Sequence, residues 1–255
     1  MNTPSVAQHV LDQWNVPLVS LPTGDGEQSD FLATLGRSRF LIEEKTKFDD
    51  PNRLEERGRV LAAGKVHLSV KPLVRTNRMS GLVRKAVNQL ASSATQYEHD
   101  FRLIWFTGTG PHAQAYYEQF IATLYGTTQI IEMDSSFMRP CFFFRNSEFH
   151  RYAESLDGAV AAHLSNGKLS ARFCLNPLSP RYSGLLRTKF TRLFDTAIEN
   201  PVKAERRRTA FILSSNTDRA NESALLQELQ EKYKTRPLMP FDLGFNSVAV
   251  AVGAG

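Results

Sequence analysis

The chain has 255 residues, 42% of them hydrophobic and 22% charged, which excludes a fibrous or wholly disordered protein. Lys and Arg number 31 against 26 Asp and Glu, a net charge of +5 with a pI near 9.3, and this excess suits a polyanionic partner. Two distant cysteines, Cys141 and Cys174, and the lack of any eighteen-residue apolar run speak against a disulfide framework, a Cys-based zinc site, a signal peptide and a membrane span, so a soluble cytoplasmic protein is expected.

In chain order, Val6, Val10 and Trp14 with Leu11 form the stripe of an amphipathic helix over 4–14. A short strand is expected at 16–22 and a polar loop at Thr23–Ser29. Next, 30–36 and Arg39–Phe48 read as two strands of a hairpin. Alternation along the second strand places Arg39, Leu41, Glu43, Lys45 and Lys47 on one face. A helix from Pro51 to Gly64, a strand 66–70 and a loop 71–78 follow. Met79, Leu82, Val83, Ala86, Val87 and Leu90 then repeat with the period of a long helix. Further strands are expected at 101–106 and 127–133, around a helix bearing Tyr117, Phe120, Ile121 and Leu124 that Gly126 caps.

Beyond about residue 135 the pieces are strand-like runs at 141–144, 159–164 and 169–176, a helix 185–198, a strand 209–215, a helix Glu222–Tyr233 and a final strand 245–252. The expected class is α/β, a central mixed sheet flanked by helices. The expected division is a core of 1–134 with a basic insertion at 49–77, and an α+β extension or second subdomain at 135–255.

The hairpin carries the chemistry. Asp30 opens its first strand, and Glu43 and Lys45 share a face of the second, so two carboxylates and an ammonium can converge across neighbouring strands. Such a set can hold a divalent cation against a phosphate and support an attacking water. Ser29-Asp30, a twelve-residue interval and Phe40-Leu41-Ile42-Glu43-Glu44-Lys45 resemble the signature of the PD-(D/E)XK, or restriction-endonuclease-like, nucleases. The order helix, three strands, helix, strand over residues 5–107 also resembles that family's core. The proline that precedes the first acid in the family is Ser29 here.

The resemblance implies a restriction-endonuclease-like fold and hydrolysis of phosphodiester bonds. Asp30 and Glu43 would hold Mg²⁺ (or Mn²⁺), with Lys45 assisting the water. Many members place a further acid on the first helix, which would be Asp12. A related branch carries Gln-x-x-x-Tyr on the helix after the lysine; here Ser93 follows Gln89 at that spacing, so Gln89 and Lys85 are carried over only as contacts on that helix.

Residues 51–85 hold nine basic and two acidic residues, a local +7 that leaves −2 for the rest. Arg53, Arg57, Arg59, Lys65, Lys71, Arg75 and Arg78 are therefore candidate nucleic-acid contacts, with solvated surface charge the competing reading of each. Arg181, Arg187, Lys189 and Arg192 could widen that footprint, whereas Arg206–Arg208 suit a solubilising role beside an apolar strand. The six histidines lack ligand spacing, Gly108 and Gly110 complete no phosphate loop, and Phe142–Phe144 suit a core.

The expected function is a Mg²⁺-dependent nuclease acting on DNA ahead of RNA, in antiviral defence, restriction or repair by family analogy. The alternatives are a catalytically silent nucleic-acid- or protein-binding module of the same fold, and a nuclease switched on by a protein partner docking on the C-terminal half. A homodimer is compatible with each.

Overall fold

In the computed structural model, residues 5–22, 29–133, 137–241 and 246–252 are described; most of the loop expected at Thr23–Ser29 lies outside them. The chain is an α/β protein built on a seven-stranded mixed sheet with helices on both faces.

Helix α1 (Val6–Gln13) starts where Ser5 Oγ accepts the Gln8 N–H at 2.9 Å. Strands β1 (Leu18–Ser20), β2 (Phe31–Leu35) and β3 (Ser38–Lys47) form an antiparallel meander. Next come α2 (Pro51–Ala62), β4 (Val66–Pro72), α3 (Asn77–Ala94) and β5 (Phe101–Gly108), and β5 pairs parallel with β3. Then follow α4 (Ala113–Tyr125), β6 (Thr128–Glu132), β7 (Met138–Phe142), the single turn α5 (Glu148–Arg151), β8 (Gly158–Ser165) and β9 (Lys168–Leu175). After these lie the turns α6 (Tyr182–Leu185) and α7 (Lys189–Arg192), β10 (Ile198–Glu199), α8 (Pro201–Arg206), β11 (Phe211–Ile212), α9 (Glu222–Tyr233), β12 (Leu238–Phe241) and β13 (Asn246–Val252).

The large sheet runs β1-β2-β3-β5-β8-β9-β10. Its central strands are apolar on both sides because helices cover both. On one side Phe40, Ile42, Leu103 and Trp105 pack with Ala7, Val10 and Leu11 of α1 and with Leu185, Phe190 and Phe194. On the other, Leu41, Ile104 and Phe106 pack with Met79, Val83, Ala86, Val87 and Leu90 of α3 and with Phe120 and Leu124 of α4. The stripe read from the sequence is thus the buried face of α3.

Strands β8 to β10 lie beyond residue 134 yet complete this sheet, so the division expected at that point does not separate two cores. Strands β7, β11 and β12 join β6, which precedes residue 134, in a four-stranded sheet, β11-β7-β6-β12, covered by Leu225 and Leu229 of α9. Two local readings change. The 141–144 strand stops at Phe142 because Phe143 takes a left-handed backbone (φ 64), which sends Phe142 and Phe143 into the main core and Phe144 into the smaller one. The helix expected at 185–198 is two separate turns, since Thr188 Oγ1 accepts the Thr191 N–H at 3.2 Å and starts a new one. The final strand expected at 245–252 is present as β13, which pairs antiparallel with β4 as a two-stranded ribbon apart from both sheets.

Candidate active site

The β2–β3 register pairs Phe31 with Ile42 and Leu32 with Leu41, so its next step sets Asp30 against Glu43. Cross-strand partners on one face lie within side-chain reach. The Asp30 carboxylate is fixed by accepting the Glu44 N–H through Oδ2 at 2.7 Å. Lys45 Nζ donates to Glu43 Oε1 and, at 2.7 Å, to Gln89 Oε1 of α3. Asp30, Glu43, Lys45 and Gln89 therefore meet on the α3 face of β3.

Glu43 is 1% exposed, and its Oε2 accepts no hydrogen bond among the described residues. Burial first, and the Asp30 charge second, push its carboxyl up to about 8, against the pull of Lys45. A buried carboxylate beside another acid, with one oxygen unused among the described residues, has the donor character of a hard-cation ligand. The Lys45 side chain is 19% exposed and Asp30 is half-buried, so the group opens to solvent on their side. Among the described residues no cluster of three or more His, Cys, Asp or Glu suited to a metal occurs. Two carboxylates with waters and a substrate phosphate are nonetheless a usual Mg²⁺ set, so the residues fit that ion.

Two neighbours with no obvious motif in the sequence hold this group in place. Glu44, between the two site residues, points to the opposite face. There Ser5 Oγ donates to it and the Ala7 N–H reaches its Oε1 at 2.9 Å, placing a negative charge at the α1 N-terminus, where the helix dipole favours it. Ser93 of α3, fully buried, accepts the Ser29 N–H at 2.7 Å and so fixes the residue before Asp30. Lys85, Gln89 and Ser93 are successive fourth residues on α3, a row that alternation and helical spacing allow but whose partners only folding supplies.

Asp12 is not brought to the site. It is exposed on α1, and α1 packs on the sheet face opposite Glu43. Arg75 is also diverted from the expected surface role: it pairs at 3.4 Å with the fully buried Glu148, which Arg151 approaches at 3.6 Å. Lys85 is exposed on the row just described. Arg59 and Lys65 are exposed on α2 and the turn after it, and Arg78 is exposed in the first turn of α3.

Arg53 and Arg57 line a cleft of about 300 Å³ with His67, His112 and the nearly buried Asp49. Asp49 accepts the Tyr116 hydroxyl at 2.7 Å and the His112 N–H at 3.2 Å. The Lys47 and Lys71 ammoniums stand 5.5 and 5.9 Å from the centroid of the Tyr116 ring. Burial depresses both lysines; Arg78 depresses Lys47 further, and Arg53 does so for Lys71. Cations thus outnumber acids here. Lys47, named in the sequence only as sharing a face with Lys45, links this basic region to the acidic pair.

No family model matches the chain, and neither the curated proteins nor the solved structures contain a match to it.

Proposed function

We propose that the protein is a metal-dependent nuclease of the PD-(D/E)XK type, with a restriction-endonuclease-like core, acting on DNA. The observation that carries this reading is the meeting of Asp30, Glu43 and Lys45 on one sheet face, with a Glu43 oxygen that has no donor among the described residues. Asp30 and Glu43 would hold Mg²⁺, which when bound supplies charge stabilisation at the scissile phosphate and lowers the pKa of water. The chain's own contribution is positional. Gln89 and Glu43 fix the Lys45 ammonium at the solvent side, where it can orient an attacking water and offset the charge that develops on the phosphate. Lys47, two residues or about 7 Å farther along β3, extends the positive row toward Lys71, Arg78, Arg53 and Arg57, which suits neighbouring phosphates of a strand.

The test is nicking of supercoiled plasmid with Mg²⁺ or EDTA, together with calorimetric titration of Mn²⁺. Mg²⁺-dependent nicking by the wild type should fall at least a hundredfold in Asp30→Asn, Glu43→Gln and Lys45→Met. Mn²⁺ heat should vanish in the first two variants and persist in the third. Nicking that survives all three substitutions refutes the assignment.

A second reading is a non-catalytic binding module of the same fold. The near-complete burial of Glu43 and its ion pair with Lys45 favour it, because that pair can satisfy itself without an ion. Absence of any Mn²⁺ heat in the wild type selects this reading. Mn²⁺ binding without cleavage selects instead a nuclease that waits for a protein partner.

A further inference from the structure

The β4–β13 ribbon presents one face on which three successive cross-strand pairs are aliphatic, with Pro72 opposite Asn246 at its end. In its register Val70 opposes Val248, Leu68 opposes Val250 and Val66 opposes Val252, and all six are 52–70% exposed. The residues between them on β4, His67, Ser69 and Lys71, are half-buried toward the body; Ser69 Oγ lies 3.1 Å from His112 Nε2, and Lys71 approaches Tyr116. The ribbon therefore has one side against the protein and one bare. Scattered apolar residues are normal on a surface, but a contiguous two-row patch is the kind that marks a contact.

The ribbon is poorly placed to stand alone. A two-stranded pair is marginal in water without a covered face. These strands are far apart in sequence, so no tight turn joins them and a long loop must close to pair them.

We propose that this face is where two copies of the chain associate, ribbon against ribbon about a two-fold axis. Two arguments select a second copy as the occupant. The face is self-complementary: two rows of three similar aliphatic side chains with no charge among them, which an isologous contact requires. At roughly 100 Å² of accessible surface for each residue, the six offer roughly 600 Å² per copy and roughly 1,200 Å² per pair, which clears the threshold of about 1,000 Å² for a specific interface. The proposal is independent of the nuclease reading, since no residue of the acidic pair takes part.

The experiment is sedimentation velocity of the full chain between about 1 and 100 µM, on wild type and Val250→Lys. The wild type should shift from monomer to dimer across that range, and Val250→Lys should stay monomeric with unchanged circular dichroism. Because residues 51–85, which include β4 and carry +7, repel their counterparts in the copy, the dimer should tighten as salt rises, opposite in sign to nucleic-acid binding. A second variant, Val250→Cys, guards against a substitution that merely detaches the ribbon. Under mild oxidant two such thiols form one intermolecular disulfide, with two electrons and two protons passing to the oxidant. The native Cys141 and Cys174 are buried and should not cross-link. A wild type monomeric at 100 µM, a dimer that Val250→Lys leaves intact, or a Val250→Cys that does not cross-link overturns the proposal, including where the face instead takes a different protein or a lipid surface.

Discussion

Replacing Glu43 by Gln should stabilise the metal-free protein while removing its cation site, and the size of the gain should depend on pH. The unfolded chain releases the Glu43 proton near the ordinary 4.5, whereas the folded chain holds it up to about 8. Between those values the folded state binds the additional proton, so raising the pH favours unfolding. The stability lost accumulates from about pH 4.5 to about pH 8 and is constant above it. At about 1.4 kcal/mol per unit the cost reaches about 3 kcal/mol at pH 7 and about 5 kcal/mol at pH 9. The amide carries no charge to desolvate, can accept from Lys45 and can donate to Asp30, but burying it takes back about 1–2 kcal/mol. Glu43→Gln should therefore match the wild type near pH 5 and exceed it by about 3 kcal/mol at pH 9. Urea unfolding in EDTA at pH 5, 7 and 9 reads this, and the wild-type-minus-variant difference cancels the titrating groups that do not interact with Glu43. Adding Mn²⁺ at about a hundred times its dissociation constant should return about 2.7 kcal/mol to the wild type alone. A difference that does not change with pH, or a variant less stable at pH 9, would refute the claim that a strained acidic pair lies at this point.

Two further substitutions test the frame around the site. Arg75→Met should leave the buried Glu148 with, among the described residues, the exposed Arg151 as its remaining cationic partner and lower stability by about 2–3 kcal/mol, while the salt dependence of DNA binding stays as in the wild type; a reduced salt slope would return Arg75 to the binding surface. Gly126 ends α4 at φ +56, and a Cβ there would lie 2.4 Å from the Arg145 carbonyl oxygen. Gly126→Ala should accordingly cost about 3 kcal/mol or more in thermal or urea unfolding, and a loss under 1 kcal/mol would mean that the α4–β7 junction yields.

Much of the fold could be read from local pattern because the pattern is local. The stripe of α3 and the alternation of β3 follow from periods of 3.6 and 2, and Gly126 from the left-handed cap it makes. The candidate trio was legible for the same reason: a hairpin's register brings Asp30 beside Glu43, and alternation brings Lys45 to their side. What failed were readings that needed a partner. Asp12 lay on a predicted helix, but nothing local says which sheet face that helix covers. Arg75 read as one of seven basic surface residues until Glu148, 73 residues away, claimed it.

Local pattern was thus enough to place most of the helices and strands, to say which side chains share a face, and to gather two acids and a lysine at the amino-terminal hairpin. Only the tertiary structure decided that strands beyond residue 134 finish the same sheet, that Ser93 and Gln89 of α3 steady the site, and that the last strand pairs with the basic insertion to leave an apolar face bare. The physical reason is range. Backbone periodicity is written in neighbouring residues, whereas burial, which raises the Glu43 proton affinity and exposes the ribbon, depends on which distant segments fill the space around a residue.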